Sequence, residues 1–191
     1  MQKNSRLVKR TQVQITLAVM GLILGEGCSH SPTGRRQLTL MPDGQMNSMG
    51  VEAFEAMKKE TPIEKDPRIN AYVRCIVNPL TQQAGDSTGV KEWEIVVFKE
   101  GSANAFALPG GKIGVHTGIL PVAKTQDQLA AVLGHEIGHV IARHGNERVS
   151  TGLIAQGVMI GANVFTKDSK LKGPLLAALG VGAQVGYILP H

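Results

Sequence analysis

Apolar residues recur along the chain at two spacings, about 3.6 residues in some stretches and about 2 in others. Between residues 45 and 60, Met46, Met49, Phe54 and Met57 fall at helical spacing. They predict a helix with a soft apolar face, and core packing accounts for that face more simply than a partner-binding methionine surface. Asp66 followed by Pro67 reads as an N-cap with proline in the first turn. Ile69, Tyr72, Val73, Ile76, Val77 and Leu80 then form the buried stripe of a second helix, and Gln82 to Val90 reads as a polar turn region. Trp93–Phe98, Asn104–Pro109 and Lys112–Thr117 read as strands, with Gly110-Gly111 turning the last two into a hairpin. Proline at the end of the middle strand places it at or near a sheet edge. The free backbone groups of such an edge can pair with an extended peptide. His116 alternates within the third strand and reads as structural rather than as a metal ligand.

A third helix follows. Thr125-Gln126-Asp127-Gln128 has the form of a capping box. Leu129, Val132, Leu133, Ile137, Val140 and Ile141 recur behind it at helical spacing. Arg143 and His144 fall where a last turn favours cations, with Gly145 as the C′ residue. Residues 150–165 and 174–189 are two almost charge-free stretches separated by Lys167-Asp168-Ser169-Lys170-Leu171-Lys172. Gly157/Gly161 and Gly182/Gly186 stand at GxxxG spacing. The reading adopted is two closely packed helices covering the neighbouring site; the alternative is a membrane hairpin over Ser150–Leu189.

The first 28 residues read as an export leader rather than as part of the fold. Lys3, Arg6, Lys9 and Arg10 form a basic start, and Ile15 through Leu24 an apolar run. Gly25-Glu26-Gly27-Cys28 then resembles a bacterial lipoprotein signal, which makes Cys28 the residue that is lipidated and anchors the chain. Glu26 is unusual in such a signal, and ordinary cleavage near Gly27 or an uncleaved anchor are the alternatives. Residues 29–43 read as a linker and 44–191 as the N-terminal portion of an enzyme domain. The net charge of +5 comes mostly from the leader, where four cations face Glu26. No basic stripe with interleaved aromatics points to nucleic acid. Cys75 lies in the amphipathic pattern of the second helix and reads as a small core residue, with pairing to Cys28 the minor alternative.

The chemistry is concentrated in His135-Glu136-Ile137-Gly138-His139. Histidines four residues apart on a helix lie on one face, so both imidazoles reach one metal ion, and zinc is the usual tenant. Glu136 stands beside the first histidine and can act as general base toward water. A catalytic zinc site needs a third protein ligand, and none is obvious. His144, five residues after His139 on the same helix, points well away from the pair. Glu147 follows the helix end too closely to fold back. Asp168 would have to curl over from its loop, and His191 would have to reach from the end of the sequence.

Asn104-Ala105-Phe106-Ala107-Leu108-Pro109-Gly110-Gly111, Gly118-Ile119-Leu120 and the run from Asp127 through His139 with Arg143-His144 resemble the M48 family of zinc metallopeptidases, within it the exported bacterial lipoprotein branch. The resemblance covers about residues 45 to 189. It implies an α+β, gluzincin-type fold, mostly helical, with a small sheet beside the helix that carries the motif. It implies that His135 and His139 bind Zn2+, that Glu136 is the catalytic base, and that Asn104, Ala105, Phe106, Ala107 and Leu108 align substrate backbone. It implies hydrolysis of misfolded or envelope proteins on the periplasmic side of a bacterial membrane. In that family the third ligand is a glutamate on a later helix, in a pattern like E-x-E-A-D, after a segment similar to Tyr187-Ile188-Leu189-Pro190. The expectation is therefore of a domain that is C-terminally incomplete and weakly stable. The competing reading is a catalytically dead envelope lipoprotein that binds protein partners.

Overall fold

The structure is a computed structural model that describes residues 28–32 and 34–155. The leader before Cys28 and most of the two charge-free stretches lie outside the described residues. Two short strands come first, β1 (Cys28–His30) and β2 (Arg36–Leu38). Two long helices follow, α1 (Asp43–Glu60) and α2 (Pro67–Thr88). Then come β3 (Glu94–Phe98), β4 (Ala105–Leu108) and β5 (Lys112–His116), a short 3-10 turn (Thr117–Ile119), and the helices α3 (Gln126–Ile141) and α4 (His144–Ala155). This is the α+β architecture anticipated, with a small sheet beside the motif-bearing helix.

The sheet has the order β3-β5-β4, β3 running parallel and β4 antiparallel to the central β5. β4 is thus an edge strand, as Pro109 directly after it requires. Alternation along the strands sorts the side chains onto two faces. Ile95, Val97, Ala105, Ala107, Ile113 and Val115 pack with α2 and α3 in one cluster. Phe98, Phe106 and Leu108 face the other way and pack with Met46, Met49 and Phe54 of α1. Both faces are covered, so the strands are buried almost throughout.

Two glycines permit this closeness. A Cβ on Gly114 would stand 2.1 Å from the Phe106 ring, so the bare backbone of β5 makes room for the aromatic of the neighbouring strand. A Cβ on Gly50 would stand 2.1 Å from the Pro109 carbonyl oxygen, so α1 lies directly on the turn between β4 and β5. That turn holds Gly110 and Gly111 at φ of 81° and 73°, a region glycine enters without steric cost.

The methionine-rich helix is core, as read: Met46, Met49 and Phe54 are buried. Three expectations are corrected. Gln82 to Thr88 continue α2, which ends in a left-handed Gly89. The polar composition concealed that the stripe of Val73, Val77 and Leu80 runs on to a buried Ala84. Cys75 is exposed with a free thiol, because Val73, Ile76 and Val77 turn inward and Cys75 falls on the outer side between them. Residues 29–43 are not a loose linker. β1 and β2 pair as Cys28↔Leu38, Ser29↔Gln37 and His30↔Arg36, and the segment after them is fastened to α4. Among the described residues no helix is long and apolar enough to cross a membrane.

Candidate metal centre

α3 is positioned by its own start and by its buried face. Thr125 Oγ1 accepts from Gln128 N, and Thr125 N donates to Gln128 Oε1, both at 3.2 Å, which completes the capping box. Leu129, Val132, Leu133 and Ile137 are buried against α2 and the sheet. The opposite side carries His135, which is exposed, with Glu136 and His139 half-buried. One ligand atom from each of the three lies within 4.8 Å of the others. The two imidazole rings stand 4.4 Å apart between centroids, inclined at 75°.

Burial acts on the charged forms of these groups. It pushes the Glu136 carboxyl up to about 7, against a smaller downward pull from Arg148. It pushes His139 down to about 4, helped by His135, His144 and Arg148. A neutral His139 is the form a metal needs. Two imidazoles one helical turn apart, one of them kept neutral, with a carboxyl beside them, fit a zinc site. Among the described residues no further histidine, cysteine, aspartate or glutamate joins the group.

The end of α3 departs from expectation. Arg143 and His144 do not form its last turn, and Gly145 is not its cap. The helix stops at Ile141, and Arg143 takes the left-handed conformation at φ 55°. The chain turns there and starts α4 at once, with Gly145 buried inside it. The turn carries His144 back to the motif: its Nδ1 lies 2.6 Å from Nδ1 of His139, and the rings are 4.8 Å apart. His144 therefore does not point away from the pair.

The new direction is held from a distance. Arg143 Nη2 donates to Asp43 Oδ2 at 2.7 Å. Asn146 Nδ2 donates to the Met41 carbonyl at 2.7 Å, while its Oδ1 accepts from Met41 N and from Ser150 Oγ. Ser150 Oγ accepts in turn from Leu40 N. Glu147 is occupied by Arg35, which donates to both its carboxylate oxygens. Asp168 and His191 lie outside the described residues.

Asn104, Ala105, Phe106, Ala107 and Leu108 are all buried, so their side chains serve the core. Among the described residues β4 pairs only with β5, so its other edge has no strand partner. Ala107, Pro109, His139, Arg143 and Arg148 line one hollow, so this strand and the motif share a cavity. Sequence reasoning missed Arg148, whose charge reaches Glu136 and His139 across the junction of α3 and α4. His116 receives or gives a hydrogen bond at Ser102 Oγ, 2.8 Å away, and packs edge-on against Phe98 and Phe106.

Residues 64–184 match the model of Peptidase family M48. The chain is 51% identical over 79 residues to mitochondrial metalloendopeptidase OMA1 of Schizosaccharomyces pombe, covering 41% of this chain and 23% of that protein. It is 34% identical over 124 residues to metalloendopeptidase OMA1, mitochondrial, of Bos taurus, covering 62% and 24%. It is 31% identical over 155 residues to the beta-barrel assembly-enhancing protease of Yersinia pestis, covering 78% and 31%. The chain thus spans less than a third of the length of each of these relatives.

Proposed function

The chain belongs to peptidase family M48, and from that premise we propose that it is a zinc-dependent endopeptidase with His135 and His139 as metal ligands and Glu136 as catalytic base. The observation that carries the reading is the convergence of these three side chains, with ligand atoms within 4.8 Å, on one face of α3. Zinc bound there supplies Lewis acidity, which polarises the scissile carbonyl and acidifies a water. Glu136 takes the proton of the attacking water and passes it to the leaving amine. Substrate backbone lies along the edge of β4, where only main-chain N–H and C=O groups are on offer.

Glu136→Gln tests the reading. Cleavage of an unfolded protein substrate by the purified chain should fall by about 10²–10⁴-fold, while zinc content stays the same. Equal cleavage by the variant, or a wild-type chain that binds no zinc, overturns it.

The finer reading places the protein in the bacterial envelope, acting on misfolded or envelope proteins and anchored by a lipid on Cys28. The basic and apolar stretches before Cys28 support it, as do relatives named for beta-barrel assembly. Cys28→Ser should release the protein from membranes into the soluble fraction. Retention of the variant would assign anchorage elsewhere, including to Ser150–Leu189.

A further inference from the structure

We propose that His144 is the positioning residue of His139: its Nδ1 accepts the proton on His139 Nδ1 and so leaves His139 Nε2 bare for the metal. The inference rests on the metal centre proposed above. Two ring nitrogens 2.6 Å apart share one proton, and its ownership decides what the far side of His139 presents. If His139 donates, its Nε2 carries a lone pair. If His139 accepts, its Nε2 carries a hydrogen and cannot ligate. Only the first arrangement is compatible with a metal. Ligating histidines ordinarily give their second N–H to a carboxylate, a carbonyl or water; here an imidazole stands in that place.

The placement depends on the turn at Arg143. In an uninterrupted helix a residue five positions on is rotated by about 140°, which would carry His144 off the face of His139. Arg143 at φ 55° undoes that rotation, at a steric cost to a residue with a Cβ. That cost is offset by the fastening of α4 to Met41, Leu40 and Arg35. His144 is not itself a member of the cluster of ligand atoms formed by His135, Glu136 and His139, which distinguishes a residue that orients a ligand from one that is a ligand.

The test begins with the wild-type chain, without metal. In ¹⁵N–¹H correlation spectra of its imidazoles at alkaline pH, His139 should show Nδ1 protonated and Nε2 bare. The opposite tautomer, or an average of the two, overturns the proposal. This measurement holds even if the chain binds no zinc and the peptidase reading falls. The second step is zinc titration against a competing chelator. His144→Leu should weaken binding by about 10–100-fold, and His144→Asn, whose Oδ1 can accept in place of Nδ1, should restore most of it. Wild-type affinity in His144→Leu overturns the proposal. So does an Asn variant as weak as the Leu variant, which would make His144 a direct ligand. Far-UV circular dichroism establishes that each variant is folded before its affinity is read.

Discussion

At the start of α3, Thr125 and Gln128 close on each other within a single turn, whereas beyond its end the turn through Arg143 is secured by the buried bonds of Asn146 to Met41, about a hundred positions earlier in the chain. The first boundary is local. A hydroxyl and an amide three residues apart satisfy two of the donors that every helix leaves open. The second is tertiary. Nothing in Ala142-Arg143-His144 asks for a left-handed residue, and the anchors lie in α1 and in the segment just before it. The two ends also differ in what they serve. The start fixes where the helix lies, and the end decides what surrounds His139. A site can therefore have its reacting groups specified by one turn of helix and their orientation specified by distant parts of the chain.

The strongest way to break the tertiary end is Asn146→Leu. This side chain makes three buried hydrogen bonds, two to the backbone of Met41 and one to Ser150. Its loss leaves a buried N–H and a buried C=O of Met41 without that partner, which costs about 2–5 kcal/mol. The midpoint of urea unfolding measures it. A loss below about 1 kcal/mol would show that the α4 anchorage is not what holds the turn.

A smaller effect separates the groups that the two ends bring together. Folding raises Glu136 from 4.5 to about 7, so the folded state binds the extra proton in that window. Its contribution to stability is present below pH 4.5 and is lost as pH rises through 7. His139, lowered from 6.5 to about 4, acts in the opposite sense: its contribution is present above 6.5 and is lost as pH falls through 4. Glu136→Gln removes only the first dependence. Without metal, the wild-type chain should therefore lose stability relative to Glu136→Gln between pH 5 and pH 8. The carboxyl is only half-buried and partly screened, so the change should be smaller than the Asn146 loss. Parallel stability curves would remove burial as the cause of the Glu136 shift.

What could be read from the residues follows the same division. His135, Glu136 and His139 were legible because the chemistry fits within five residues of one helix. The edge position of β4 was legible because Pro109 has no N–H to give a neighbour. The turn at Arg143 was not, since a non-glycine left-handed residue has no local signature, and with it went the location of His144. The β1–β2 hairpin was hidden because strands of three residues carry too little alternation to register, and Ser-Pro-Thr-Gly between them reads as loop. The last two turns of α2 were hidden because Gln82, Gln83 and Asp86 outweighed the single apolar contact of Ala84.

The finest test sets the two ends of α3 side by side. Thr125→Ala deletes half of the capping box and should cost about 1 kcal/mol, read as a lower midpoint with little change at the metal centre. Arg143→Gly should act oppositely. Glycine enters the left-handed region freely, so the strain of about 1 kcal/mol is relieved, less the gain glycine gives to the unfolded chain. The lost contact with Asp43 joins two exposed side chains and is worth little. A net change within about 0.5 kcal/mol of wild type is therefore expected. Because glycine holds the same φ, His144 should stay beside His139 and zinc affinity should be preserved. If Arg143→Gly instead destabilises the chain by as much as Thr125→Ala does, the ion pair with Asp43 is part of what turns the chain, and the end of α3 is fixed by charge as well as by the Asn146 anchorage.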